Sequence, residues 1–297
     1  MLRENVAAGR QTKLTLVRDM VLVADVTAGG IVPVKIQDIV EPLQEGLIYN
    51  KVGLPFNTGL AGDFVWPVYE AVEATFAGEG VALSDTTIDM SKVNPKPERI
   101  GLAIPVSREA INQSEGVIEN IVKNVMPQAL YTLINKVLFS TTKVSGASAV
   151  AGPFVAAAAS ATTLSATPTF AELNAMKAAV LKNGVKGENL CWVMSKAMEA
   201  TLEGEPINSN GVYKPIAENH MMCGLPIQTT QDIVDGTTEY IGLGDWRYQP
   251  AGLFGGISFV VDPYSQARKN AVDFVLNADF ATATLQAKAF VLGKVGA

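Results

Sequence analysis

Arg99-Ile-Gly-Leu-Ala-Ile-Pro-Val-Ser-Arg-Glu-Ala-Ile-Asn-Gln-Ser114 opens the stretch that decides the fold, and an apolar-striped run to Ser140 completes it. The first eight residues read as a hydrophobic strand. Ser107-Arg108-Glu109 opens a short helical turn. A long helix follows, with Ile118, Ile121, Val122, Val125, Met126, Ala129, Leu130, Leu133, Ile134, Val137 and Leu138 on one broad face. Steps of three and one make that face. Ser114 is the expected N-cap, with Glu115 at the positive end of the helix dipole. From Glu115 to Phe139 the helix would span about 37 Å. Pro127 removes one backbone hydrogen bond and is expected to bend it. No catalytic motif accompanies the run.

Upstream, residues 1–35 have scattered hydrophobics and Gly29-Gly30, the pattern of an extended arm without its own core. Gln37 to Leu47 reads as a short amphipathic helix. Asp63-Phe-Val-Trp-Pro-Val68 looks like a strand entering a hairpin. Glu70 to Pro97 is long and polar, threaded with Val72, Phe76, Val81, Leu83, Ile88 and Met90, and broken at Ala77-Gly-Glu-Gly80. Two polar strands with no third are marginal in water. This hairpin needs something to lie on, and another subunit would serve.

Downstream, residues 141–167 are rich in Ser, Ala, Thr and Gly and read as a linker or surface insertion. Thr169-Phe-Ala-Glu172 is a capping box opening a helix with Leu173, Met176, Ala179 and Val180 on one face. Asn183-Gly184 closes it. Asn189 to Met194 reads as a buried strand and Lys196 to Leu202 as a helix. Strands follow at Gly224–Gln228, Glu239–Gly244 and Ile257–Val261, and Ala271 to Gly293 reads as strands again. Alternating helices and strands imply an α/β unit.

Candidate chemistry is sparse. His220 is the only histidine, so any histidine-dependent triad must use it. Its neighbours Asn219, Met221 and Met222 read as a helix end. One histidine and the distant Cys191 and Cys223 cannot make a zinc cage. Gly242-Leu-Gly244 begins like a dinucleotide loop, but Arg247 stands where the third glycine belongs. Glu203 with Glu205, and Asp232 with Asp235, read as solvated turn carboxylates. Met194, Met198, Met221 and Met222 read as core filler. The expectation is no catalytic, cofactor-binding or metal site.

With 297 residues, 48% hydrophobic and 18% charged, the chain is apolar for a monomer, which hints at surface covered by partners. The formal charge of −6 argues against a dedicated nucleic-acid binder. Arg3, Arg10, Lys13 and Arg18 give the first residues only a slight basic excess. Aromatic residues, at 7%, are too few for base-stacking platforms. Two cysteines without a framework fit a reducing cytoplasm. The first residues lack the apolar region of a signal peptide, and no run reaches membrane-span length.

The order of motifs resembles the tailed-bacteriophage major capsid proteins of the Hong Kong 97 type. Ile100 to Ser107 is similar to the strand entering that family's peripheral domain, and Arg108 to Ser114 to the turn before its spine helix. Asn189 to Ser195, Gly224-Leu-Pro-Ile227, Tyr240 to Tyr248 and Lys288 to Lys294 resemble further family segments. The resemblance implies an α+β fold with an N-terminal arm (1–35), the start of the peripheral domain (36–67) and an extended β-hairpin loop (68–98). The peripheral domain with its spine helix (99–164), an α/β axial domain (165–267) and C-terminal peripheral strands (268–297) follow. It implies a homo-oligomer of pentamers and hexamers forming an icosahedral shell around double-stranded DNA. Scaffolding protein, portal and possible decoration proteins are the implied partners, with the virion as location and assembly in the host bacterial cytoplasm. No membrane is involved.

Two departures stand out: Pro127 in the spine helix, and no charged coiled-coil segment ahead of the arm, so scaffolding is expected to be separate or already removed. Some members of the family join a loop lysine to an asparagine with a glutamate's help. Lys92 and Asn270 fall at those positions here, but Asn277 stands where the glutamate belongs. Asparagine cannot accept a proton from lysine, so no cross-link is expected. An encapsulin-like compartment is the nearer alternative, although the opening Trp-containing helix of that family is missing. A cytosolic α/β enzyme of unknown substrate is the remoter one.

Overall fold

A computed structural model describes residues 47–296, apart from 63–64, 70–73, 78, 80–81, 83–84, 86, 89, 115–116 and 209–213. Several expectations fall outside the described residues: the arm, all but the last residue of the helix expected from Gln37, the dipole position of Glu115, and the hairpin positions Val72, Val81 and Leu83. Residues 45–297 make up one compact unit.

Three short strands come first: β1 (Phe56–Leu60), β2 (Trp66–Tyr69) and β3 (Met90–Val93). The decisive stretch folds as β4 (Glu98–Ser107), α1 (Arg108–Gln113) and α2 (Val117–Phe139). Then come α3 (Pro153–Ala157), β5 (Thr162–Leu164), α4 (Phe170–Lys182), β6 (Leu190–Met194) and α5 (Lys196–Gly204). The chain ends with β7 (Ala217–Glu218), β8 (Met221–Met222), β9 (Leu225–Thr229), β10 (Tyr240–Asp245), β11 (Ala251–Asp262), β12 (Ala271–Thr282) and β13 (Phe290–Val295).

These strands make a four-stranded sheet in the order β1-β11-β12-β4 and a seven-stranded sheet in the order β5-β13-β10-β6-β9-β8-β7. β2 and β3 pair only with each other. α2 lies on β4 and β12 and buries Val122, Met126, Leu130, Ile134, Val137, Leu138 and Phe139. It runs on through Pro127, which is half-buried.

The seven-stranded sheet uses the period of two on both faces. Cys191, Val193, Phe290 and Leu292 join the core under α2. Leu190, Trp192, Met194, Ile241 and Leu243 join a second core against Leu173, Met176 and Val180 of α4 and Met198 and Leu202 of α5. The capping box at the start of α4 is present: Thr169 Oγ1 accepts from Glu172 N–H, and the Glu172 carboxylate accepts from Thr169 N–H.

Sheet membership cuts across the boundaries expected from sequence. β11 lies within 165–267 yet pairs with β12, whereas β13 lies within 268–297 yet pairs with β10. The chain crosses between the sheets at Trp246–Pro250 and crosses back at Ala283–Ala289, and neither crossing carries a linker composition.

Three local readings are corrected. Residues 141–167 are not a surface insertion: Phe154 and Leu164 are buried and β5 pairs with β13. Pro153 starts α3 at the position where its missing N–H costs nothing. Gly152 lets that turn reach the Val137 and Leu138 carbonyls, which a Cβ would strike. Ser114 does not cap α2 but closes α1, its Oγ donating to Ile111 O at 3.1 Å. The two helices meet at one turn, so this hydroxyl is engaged backwards along the chain. Finally, Gly242-Leu-Gly244 is buried strand rather than loop, because Cβ atoms at Gly242 and Gly244 would run into the rings of Phe154 and Phe290.

Gly242→Ala therefore overpacks the core. It should lower subunit stability by about 1–3 kcal/mol in urea unfolding. Gly256→Ala, where a Cβ meets open space, should change it far less.

Candidate assembly surface

A hairpin of two strands buries too little to stand alone. β2 and β3 pair over only four residues, from Trp66 opposite Val93 to Tyr69 opposite Met90. Trp66, Val68 and Val93 are half-buried, but Tyr69 is 70% and Met90 77% exposed. Farther along the loop, Phe76 is wholly exposed and Ile88 is 59% exposed.

A second uncovered apolar surface lies at the outer end of the four-stranded sheet. β1 pairs with β11 only as far as Phe254. There the β11–β12 register shifts, with Gly255 at φ 66°, and the strand turns outward. Beyond that bulge Ile257, Phe259, Val260 and Val261 are all exposed, beside Leu102 of β4. The alternation of a half-buried strand is lost, which is the mark of a surface that expects cover. Nothing in the apolar run itself distinguishes it from core strand, and the Gly255-Gly256 pair is the only sequence sign of the bend.

Polar contacts fix these surfaces. Asp262 accepts from the N–H groups of Tyr264 at 2.8 Å and Ser265 at 3.2 Å, and from the Ser265 hydroxyl. The hydroxyl contact, with the two N–H donors, holds the Asp262 carboxyl below its ordinary pKa. Arg108 ties α1 to the same turn, its N–H donating to Asn270 O at 2.8 Å. At the other end of β4, Glu98 accepts from the N–H groups of Ala149 and Ser148. Those donors hold its carboxyl low. Sequence reading passed over Glu98, because a capping carboxylate fifty residues from its donors leaves no local pattern.

The residues singled out for chemistry are scattered and engaged in structure. His220 is not a helix end: with Asn219 it forms the β7–β8 turn, both at positive φ, and its Nδ1 lies 2.7 Å from Glu199 Oε1. Burial pushes the Cys191 thiol up to about 12, far from a nucleophile's range. Cys223 is half-buried and its thiol is also raised by burial. Met194, Met198 and Met222 are core, whereas Met221 is half exposed. Asp232 is not simply solvated: it accepts from Asn135 Nδ2 at 2.6 Å, and Asn135 Oδ1 accepts from Ile48 N–H at 3.2 Å. Among the described residues no cluster of three His, Cys, Asp or Glu is placed to hold a metal ion, and no helix is long and apolar enough to cross a membrane. Lys92 is exposed on β3 opposite Pro67. Asn270 is in a left-handed turn before β12, not in a strand, and Asn277 covers Gly101 on β4.

Two uncovered apolar surfaces and no assembled chemistry describe a subunit built to be packed. The sequence matches the description "Phage capsid family" over residues 29–295. The chain belongs to the phage capsid family. Its fold is the Hong Kong 97 type. The capsid of a native GTA particle computed with C5 symmetry superposes with a TM-score of 0.73 at 14% identity, covering 94% of this chain and all of that one. The structure from Gordonia phage Cozz gives 0.68 at 17%, covering 97% and 98%. That from Mycobacterium phage Bobi gives 0.69 at 15%, covering 92% and 97%. A comparison with curated protein sequences finds no match. The protein is thus a major capsid protein, and neither the encapsulin-like nor the enzyme reading is favoured.

Glu98 supplies a pH test. Its pKa is lowered by folding, so its contribution is present above the unfolded value of about 4.3 and is lost as pH falls through the lower folded value. Glu98→Gln should unfold at lower urea than the unmodified protein at pH 7. That gap should shrink towards pH 3, as both urea midpoints will show.

Proposed function

We propose that this capsid protein is the repeating subunit of an icosahedral shell of pentamers and hexamers that encloses double-stranded DNA. The observation that carries the reading is the pair of apolar surfaces, on the β2–β3 loop and on outer β11, that the chain does not cover itself. They are different surfaces on one chain, so joining them between copies is head-to-tail and closes into rings. The C5 symmetry of the related GTA capsid belongs to that particle, and it supports a five-fold ring here.

In this reading the four-stranded sheet with α2 is the peripheral domain and the seven-stranded sheet with α4 and α5 is the axial domain. The β2–β3 hairpin is the extended loop, and residues 1–35 are the arm. The role is containment, without turnover chemistry. Scaffolding protein, portal and decoration protein are the partners during or after assembly. DNA meets the inner face without sequence preference, and assembly takes place in the host bacterial cytoplasm.

Sedimentation and electron microscopy of the full chain, with its scaffold where one is needed, should show capsomers and closed particles. A monomer under every assembly condition overturns the reading. Replacing residues 72–94 by a short Gly-Ser turn should leave the subunit folded by circular dichroism and abolish particles.

No covalent joining is expected, because Asn277 cannot serve as the proton acceptor. Particles boiled in denaturant should run as one band near 31.4 kDa. A ladder that disappears in Lys92→Ala would show that a carboxylate elsewhere does that work.

A further inference from the structure

The net charge of the chain is concentrated in one place. Between Val68 and Ser91 stand Glu70, Glu73, Glu79, Asp85 and Asp89, with no lysine or arginine. The rest of the chain carries 24 of the 29 acidic residues against 23 basic ones, so it is close to neutral. Loops of this charge repel one another and are drawn to a surface of opposite sign. In the middle of the loop the Phe76 ring stands fully open to solvent.

We propose that the β2–β3 loop of one copy seats Phe76 in the cavity between β4, α2 and the 144–150 segment of a second copy, a reading that rests on the shell proposed above. The cavity holds about 220 Å³ and has apolar walls from Ile100, Leu133, Val137, Val144, Val150 and Phe280. It is below the range of about 300–1,000 Å³ typical of small-molecule sites. A single aromatic side chain is the occupant that suits it, as an anchor that loses its exposed area on docking.

The mouth of the cavity has the sign the loop requires. Arg99 is exposed and has no ion-pair partner among the described residues; Asp279 stands opposite it in register without bonding to it. Lys143 is held over the 144–150 segment, its Nζ donating to Ser148 O at 3.1 Å. Glu98 is the acid at the rim, and its charge is already met by the Ser148 and Ala149 N–H groups. A larger cavity of about 470 Å³ beside the β7–β8 turn has one lysine, Lys214, and one glutamate, Glu218, in its wall, and so has no net attraction for an acidic loop.

The test uses particles of the full chain. Phe76→Cys and Ser145→Cys subunits, mixed before assembly and then oxidised, should give a non-reducing band at twice the subunit mass. Neither variant alone, nor the unmodified protein, should give it. A second measurement covers the case in which the cysteine variants do not assemble. Glu79→Lys with Asp85→Lys, or Arg99→Glu with Lys143→Glu, should raise the subunit concentration needed for particles at least about tenfold at low salt. All four changes together should restore it to within about threefold. Particles that form without the mixed disulfide, or charge swaps without mutual rescue, overturn this docking and leave the shell reading standing. Failure of the unmodified chain to form particles at all overturns the shell reading itself.

Discussion

Trp246 is the point on which the two sheets depend. It sits between β10 of one sheet and β11 of the other, and it is fully buried. Phe139, at the end of the spine helix, lies 4.7 Å from it between ring centroids. Phe154 and Phe290 meet it edge-on, each at 5.4 Å. Its indole N–H has no hydrogen-bond partner among the described residues. Leaving that donor unpaired costs about 1–3 kcal/mol. Three ring contacts at about 0.5–1.5 kcal/mol each, added to about 1.5–3 for burying such a side chain, outweigh it. The helix, the α3 turn and both sheets are thereby drawn to one ring cluster.

The polar contacts around that cluster lock the crossing. The buried Asp245 carboxylate accepts from Arg247 N–H at 3.2 Å and from its guanidinium at 3.0 and 2.6 Å. Arg247 is about half exposed, so the pair matters more for shaping the turn than as a charge interaction. Gln249, fully buried, donates to Thr282 Oγ1 at 2.8 Å and accepts from Thr284 at 2.5 Å, which ties the outgoing crossing to the returning one. Asn135 does the same between α2, the segment at Ile48 and the turn after β9. With the centre held in this way, the uncovered apolar area lies at the ends: the β2–β3 loop and β11 beyond its bulge.

The parts of this fold that were legible in the sequence are those whose partners are periodic or close by. α2 shows itself because its buried face repeats over 23 residues. Thr169 and Glu172 announce α4 because a capping box is complete within four residues. β6 is readable because all five of its residues are buried. What stayed hidden depends on distant partners. Phe154 lies in a stretch whose composition reads as linker, and its burial rests on Gly242, nearly ninety residues away. Gly242 and Gly244 misled for the same reason: a glycine needed so that a ring can lie on the strand is the same letter as one needed for a phosphate. Asp232 looked solvated because Asn135, its partner, lies about a hundred residues upstream. The candidate surface was half legible. The hairpin showed itself by lacking a core, whereas outer β11 read as ordinary strand because an uncovered apolar run and a covered one have the same sequence.

That last ambiguity comes from what a shell subunit must do. A chain whose apolar surfaces were all covered would stay a monomer, and one with a single large patch would stop at a dimer. Here the uncovered area is divided between a loop and a sheet end, so each copy has two unlike neighbours to satisfy. Each contact can then be modest, because a ring multiplies it and closure makes the last contacts intramolecular. Modest contacts also let a wrongly placed subunit leave before the ring closes. The rigid aromatic centre makes this workable: the angle between one copy and the next is set by fixed geometry, and the contacts themselves need only hold.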